Sequence, residues 1–516
     1  MTARDVGRRE AAKNGAGLFR NVVSLAGAGL AIVSAGNIVF FFLVSVISRQ
    51  ASPYIGVLAF MVFPAFLIAG LLLIPMGMLR ERRKRRRAAP ASIPQFPRID
   101  LNVPAQRNAF VLVLGFSVVF VLVSALGSYR AYEFTDSVQF CGQTCHTVMK
   151  PEYTTYLQSP HARVACVDCH VGPGASWYVR SKLSGSYQVY SAIFHKYPRP
   201  IPTPISSLRP AQETCEQCHW PSKFYGAQLK VFYHYASDEK NTPREIRMLI
   251  YTGGADPNTG LPSGIHWHMN IANKITFIAA DAQSQVIPWV QVQVRDKNGQ
   301  ATGPVTVYQS KDSPLTAQQI ARAPKHVMDC IDCHDRPSHI FTPPDRAVDV
   351  SLVAGRMESS LPFIKQQAVA ALTQTYSTTS EALQSIANSI LEFYRAKHPE
   401  VYSKRRPAID AAVQEVQHIY ESTVFPFMKV DWRTHPNNIG HFYSPGCFRC
   451  HDGQHASADG RIIPKDCNTC HSILTQTKSG APLIQHEAGA AFQHPAEIGD
   501  VTQLACSDCH TGGPWP

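Results

Sequence analysis

Within the first 130 residues, three long stretches carry no charged side chain: 21–48, 50–79 and 108–129. About 20 consecutive apolar residues cross the hydrocarbon of a bilayer, and a buried core helix seldom runs that far without a charge. The pattern therefore predicts a three-helix transmembrane anchor over 21–129. The first run is too long for the apolar part of a cleavable signal, and two more follow it, so it reads as a retained anchor.

Past residue 130 the periodicity changes. The proline-rich stretch "KYPRPIPTPISSLRPAQETC" resists both helix and sheet. The segments "KITFIAAD", "VIPWVQVQVRDKNGQ" and "PVTVYQS" alternate apolar and polar positions, and "DKNG" reads as a hairpin turn, so a small antiparallel β insertion is expected at about 221–325. Within 345–429, "SEALQSIANSILEFYRAKH" and "PAIDAAVQEVQHIYESTVF" repeat apolar residues at helical spacing, which predicts two amphipathic helices acting as a linker. Residues 430–516 offer little for a conventional core.

The formal charge of +12 would suit a nucleic-acid partner, but its distribution excludes one. Residues 1–20 hold five Lys or Arg against two acids, and residues 80–107, with "RERRKRRR", hold nine against two. Beyond residue 107 the signs nearly balance, leaving no basic surface for phosphates. The excess is topogenic: residues 1–20 and the basic loop 80–107 face the cytoplasm, and the third helix delivers everything after about residue 130 to the other side.

All fourteen cysteines fall in seven clusters: "CGQTCH" at 141, "CVDCH" at 166, "CEQCH" at 215, "CIDCH" at 330, "CFRCH" at 447, "CNTCH" at 467 and "CSDCH" at 506. A zinc ribbon, a disulfide framework or a thioredoxin-type redox pair places no demand for histidine after every second cysteine. C-x-x-C-H is the c-type haem attachment pattern, in which two thiols bond one porphyrin and the adjacent imidazole takes the iron. The expectation is seven covalent haem c groups. They are held by Cys141 and Cys145, Cys166 and Cys169, Cys215 and Cys218, Cys330 and Cys333, Cys447 and Cys450, Cys467 and Cys470, and Cys506 and Cys509. The proximal ligands are His146, His170, His219, His334, His451, His471 and His510. The first cluster has three residues between its cysteines; a local disulfide or free thiols there would leave six haems.

Fourteen histidines remain, and bis-histidine irons at haems two to seven need six of them. The expected distal set is His161, His268, His339, His435, His455 and His494, with His266, His326 and His441 as near alternatives; His398 and His418, on the amphipathic helices, are expected at the surface. No histidine precedes His146, so the apolar spans cannot hold a haem through paired imidazoles, and any quinol chemistry belongs at the outer membrane interface.

The stretch "FCGQTCHTVMKPEYTTYLQSPHARVACVDCHVGPG" resembles the NapC/NirT family of membrane-anchored quinol dehydrogenases, over roughly 108–225 and reaching Cys330–His334 as a fourth haem. The whole chain is similar to the larger heptahaem inner-membrane cytochromes of metal-reducing bacteria. The resemblance implies a membrane-anchored multihaem cytochrome c with a mostly α or irregular, haem-wrapped periplasmic domain. It implies that Met149 is an axial ligand of the first haem, although the family methionine usually stands two residues after the motif histidine and this one stands three. It further implies that Lys182 in "WYVRSKLSG" lies near the quinol, with the family's acidic partner replaced in "SGSYQVY", and that His161 reaches another haem.

The expected organisation is a cytoplasmic N-terminus (1–20), the anchor (21–129), a NapC/NirT-like domain with haems one to four (130–344), the helical linker (345–429) and a triple-haem domain (430–516). The expected function is oxidation of quinol or menaquinol in the bacterial inner membrane, with electrons relayed to periplasmic c-type cytochromes, a terminal reductase or outer-membrane acceptors. Two other classes fit the same haems. A multihaem oxyanion reductase would need one open iron in a pocket with acid–base groups. A non-enzymatic wire docked on a separate quinol dehydrogenase would lack the quinol site.

Overall fold

A computed structural model of the chain describes residues 21–47, 63–88, 100–172, 175–203, 205, 209–220, 224, 226–253, 264–269, 273–295, 300–478, 481–496, 498–499 and 504–514. The N-terminal segment 1–20, residues 89–99 of the basic loop and the "DKNG" turn lie outside the described residues. The chain divides into two compact units, Met1–Thr144 and Cys145–Pro516.

In the first unit, α1 (Val22–Ile47), α2 (Phe63–Ala88) and α3 (Pro104–Thr135) follow one another. Among the described residues two helices are long and apolar enough to cross a membrane, Val22–Phe41 and Phe63–Lys84, where the hydrophobic pattern predicts three. The third run, 108–129, lies inside the continuous 32-residue α3, several of whose side chains are outside the described set. The basic segment expected as loop from residue 80 is helical as far as Ala88, because Arg and Lys are strong helix formers and continue the apolar turns that precede them. α1 and α2 pack through small residues. A Cβ on Gly70 would meet the Ala31 backbone nitrogen at 2.7 Å, and one on Gly27 would meet the Gly70 carbonyl oxygen at 2.8 Å. The Ser24 hydroxyl donates to the Ile74 carbonyl at 2.9 Å. Close backbone approach of this kind is how helices associate where lipid removes the hydrophobic driving force.

In the second unit the largest apolar core is helical, built from α9 (Pro344–Val353), α10 (Ile364–Leu372), α11 (Thr379–Lys397) and α13 (Arg406–Thr423), with the short α12 (Pro399–Lys404) between the last two. The Thr378 hydroxyl caps α11 by accepting from the Glu381 N–H, and Ala382, Ile386, Ile390 and Tyr394 then recur every fourth residue, forming one buried stripe. α13 answers with Ile409, Val413, Val416 and Tyr420. Beneath α9 and α10 lies a buried ion pair: Lys365 Nζ is 2.6 Å from Asp349 Oδ1 and also donates to the Asp345 carbonyl.

Two antiparallel sheets complete the unit. One has the order β1 (Gly226–Tyr235), β2 (Pro243–Gly253), β8 (His471–Lys478), β9 (Ala481–Ala490). The other runs β6 (His326–Val327), β3 (Asn273–Ile278), β4 (Trp289–Arg295), β5 (Ala301–Ser310), β7 (His455–Ser457). β4 and β5 pair across "DKNG". The β structure is larger than the small insertion expected, because β7, β8 and β9 come from the C-terminal region and stitch it onto the insertion by backbone hydrogen bonds.

Removing one member of a buried pair strands the other's charge. Asp349→Ala is therefore expected to cost about 3–5 kcal/mol of stability, measured as thermal unfolding of the haem-loaded protein by circular dichroism. Adding Lys365→Met should recover most of that loss, and a single variant as stable as the parent would contradict the pairing.

Candidate haem sites

Each C-x-x-C-H motif folds as about one turn of helix. α5 (Cys166–His170), α7 (Ala211–Cys215), the 3-10 turns Cys330–Asp332, Gly446–Arg449 and Cys467–Thr469, and α14 (Cys506–Cys509) carry the six regular motifs. The backbone N–H of His219, His334, His451 and His510 donates to the carbonyl of the first cysteine of its own motif, at 2.7 to 3.0 Å. Residues i, i+3 and i+4 of such a turn share one face, so two thiols and an imidazole meet the same flat group. In "CVDCH", "CIDCH" and "CSDCH" the aspartate closes the turn by accepting from the N–H three residues earlier, at 3.2, 2.6 and 2.9 Å. All fourteen cysteines are unbridged.

Opposite six motif histidines stands a second imidazole. His170 faces His339 with ring centres 6.3 Å apart, His219 faces His161 at 6.0 Å, and His334 faces His266 at 6.4 Å. His451 faces His268 at 5.9 Å, His471 faces His441 at 6.2 Å, and His510 faces His494 at 6.2 Å. Two imidazoles bonded to one iron from opposite sides, each at about 2 Å, hold their ring centres about 6 Å apart. The donor set thus fits haem iron at six motifs, each pair joining one motif histidine to one outside the motifs. Among the described residues no group of three or more His, Cys, Asp or Glu could hold a bare metal ion.

Backbone carbonyls fix several of these rings. The Nδ1–H groups of His266, His268, His339 and His451 donate to the carbonyls of Thr252, Ile265, Glu152 and Pro464, at 2.6 to 2.9 Å. That sets the tautomer and leaves Nε2 free for a metal. Burial pushes His339 and His510 down to about 4, so both are neutral, the form that ligates iron.

Successive motifs adjoin in chain order. Burial, with Cys215 of the next motif adding, raises the Cys169 thiol. The Cys215 thiol raises that of Cys330, and Asp329 accepts from the Ala211 N–H at 2.8 Å. Burial raises Cys333 to about 11 and Cys450 to about 12, with Cys447 acting on the first and Cys333 on the second. Cys470, raised to about 11 by burial, feels Cys447, and Cys506, raised likewise, feels Cys467. The second to seventh motifs therefore form one unbroken series.

Of the six expected distal histidines, His161, His268, His339 and His494 stand opposite a motif histidine, and His435 and His455 do not. His455 has both ring nitrogens engaged, Nε2 with the Ile287 carbonyl at 2.7 Å and Nδ1 with Asp452 at 2.9 Å, and no lone pair is left for iron. His435 is buried against Phe341. Their places are taken by His266 and His441. His266 shares the 3-10 turn Ile265–Met269 with His268, and His441 lies six residues before Cys447. His326 lies at the sheet edge against Phe277. His398 packs on Phe363, Phe393 and Tyr394 at the end of α11, and His418 is exposed.

At the first motif a π-helical turn, Phe140–Thr144, takes up the extra residue; this winding widens the turn by one residue and returns the chain to Cys145. α4 (His146–Leu157) starts there, with Met149 in its first turn. α6 (Ala175–Ile193) carries Lys182, and the side chains of Lys182 and His146 lie outside the described residues.

The model of the NapC/NirT cytochrome c family, N-terminal region, matches residues 103–200. The cytochrome c-type protein ImcH of Geobacter sulfurreducens is 47% identical over 496 residues, covering 96% of each chain. The cytochrome c-type protein NrfH of Wolinella succinogenes is 29% identical over 113 residues, 21% of this chain and 60% of its own. No solved structure matches. With the family's N-terminal region in place and near-complete coverage of ImcH, the chain belongs to the membrane-anchored multihaem c-type cytochromes of the NapC/NirT family.

Proposed function

We propose that this protein is an inner-membrane quinol dehydrogenase carrying seven haem c groups, which takes electrons from the quinol pool at its first haem and passes them through its periplasmic domain to an external acceptor. The observation that carries the reading is the series of six imidazole pairs in chain order. Haem iron, cycling between ferric and ferrous states, supplies one-electron carriage when bound.

The rest follows from the chain's own residues. Paired imidazoles would hold the iron from both sides at six sites, which favours relay over reduction of a small oxyanion, since that needs an open position. The first motif follows α3 directly, and in this reading α1, α2 and α3 all span the membrane, so the entry site lies within reach of a lipid-soluble donor. α6 presents Leu183, Tyr187, Val189, Tyr190 and Ile193 as exposed apolar side chains, with Phe194 just beyond its end, a surface suited to an isoprenoid donor or to the headgroup layer. Lys182 on that helix would position and polarise the quinol oxygen, and quinol protons would leave on the outer side. His146 or Met149, in the first turn of α4, would bind the first iron from the side of its thioether links. A docked electron wire without quinol chemistry shares the haems and is separated by the second test below.

Intact mass of the purified protein should correspond to seven covalent haems; six would remove Cys141 and Cys145 from the set. Lys182→Ala should slow anaerobic reduction by a menaquinol analogue, followed at the haem α-band, by roughly tenfold or more, the scale of one lost positioning contact, with haem count and spectrum unchanged. Unaltered quinol kinetics with all haems attached would favour the docked wire.

A further inference from the structure

Six motifs have a second imidazole opposite them; at the first, the side chain of the motif histidine lies outside the described residues. His146 and Met149 cannot both close its axial positions. They lie three residues apart in the turn that begins at Cys145, so that turn reaches only one face of a group tethered there. A ligand on the other face would have to come from a distant part of the chain.

His435 has the properties of the distal histidines without a motif to serve. It is 6% exposed, and its Nδ1 is buried without a hydrogen-bond partner, as are those of His161, His441 and His471 in the recognised pairs. Its ring centre is 6.2 Å from that of Phe341. Phe341 forms a buried cluster with Phe425, Met428 and Val430, and Val148 of α4 packs against it. One turn further along α4, Glu152 lies 3.6 Å from Arg336, whose guanidinium sits 4.8 Å over the Phe341 ring. Val148 and Glu152, four residues apart, share a helix face, so the stripe of α4 flanking Met149 looks onto the wall that holds His435. Two further histidines near motif-bearing segments are engaged elsewhere: His455 with Asp452 and Ile287, and His234 with Asp349 at 3.3 Å.

We propose that His435 is the distal iron ligand of the haem attached at Cys141 and Cys145. The proposal rests on the reading that this irregular motif carries haem. It makes the first iron six-coordinate, so quinol delivers electrons through the porphyrin edge without bonding the metal.

The test uses the full-length, haem-loaded protein in detergent, with electron paramagnetic resonance and resonance Raman reporting spin state and intact mass reporting haem number. Wild type should be entirely low-spin. His435→Ala should keep its haem number and convert one iron to high-spin, and added imidazole should return it to low-spin. His435→Met should stay low-spin, with one haem raised in potential by the thioether. A wild type already holding one high-spin iron, or a His435→Ala protein still entirely low-spin, would overturn the proposal. Cys141→Ser with Cys145→Ser locates the effect. If that variant loses one haem and His435→Ala then produces no high-spin iron, the assignment to the first haem stands. A high-spin iron that persists would put His435 on another haem and overturn it. Mass unchanged by the cysteine substitutions would refute the haem reading of the motif itself.

Discussion

The fixed separation of two imidazoles that share one iron is the constraint on which the haem-bearing unit is built. A motif supplies its thiols and first imidazole locally, within one helical turn. The second imidazole must come from elsewhere, and its ring must be held about 6 Å from the first. At the six paired motifs a haem would thereby be a cross-link between the motif and a remote segment. His339, after the fourth motif, faces His170 of the second, and His161, just before the second motif, faces His219 of the third. His266 and His268, two residues apart on one 3-10 turn, face His334 and His451 of the fourth and fifth motifs.

That division of labour explains the rest of the fold. The two sheets carry only a modest apolar core, and one of their functions is to place the turn bearing His266 and His268. Strands β7 and β8 begin at or near motif histidines of the C-terminal region, so sheet pairing and ligand pairing brace the same segments. The helices of 344–423 hold the largest buried apolar cluster among the described residues and contain none of the paired histidines.

The turns of the six regular motifs were legible in the sequence, because their geometry is local: the spacing puts two thiols and an imidazole on one turn. The amphipathic helices and strands β3 to β5 were legible through periodicity. The distal ligands were only partly legible, since an axial ligand is defined by distance in three dimensions. His161, His268, His339 and His494 stand opposite motif histidines, while His455, as close to a motif in sequence as any of them, turns its ring to Asp452 and Ile287. His266 and His441 gave no local sign that set them apart. Strands β1 and β2 fall inside the β insertion expected at about 221–325, but the partner of β2 was not legible, because β8 lies more than 200 residues away.

The central claim, that remote histidines complete the second to seventh haem irons, is tested most directly by near-infrared magnetic circular dichroism of the fully oxidised protein, which counts irons by axial ligand type. The account predicts at least six irons with the bis-imidazole charge-transfer band. Fewer than six, or thioether or high-spin bands from more than one iron, would contradict it.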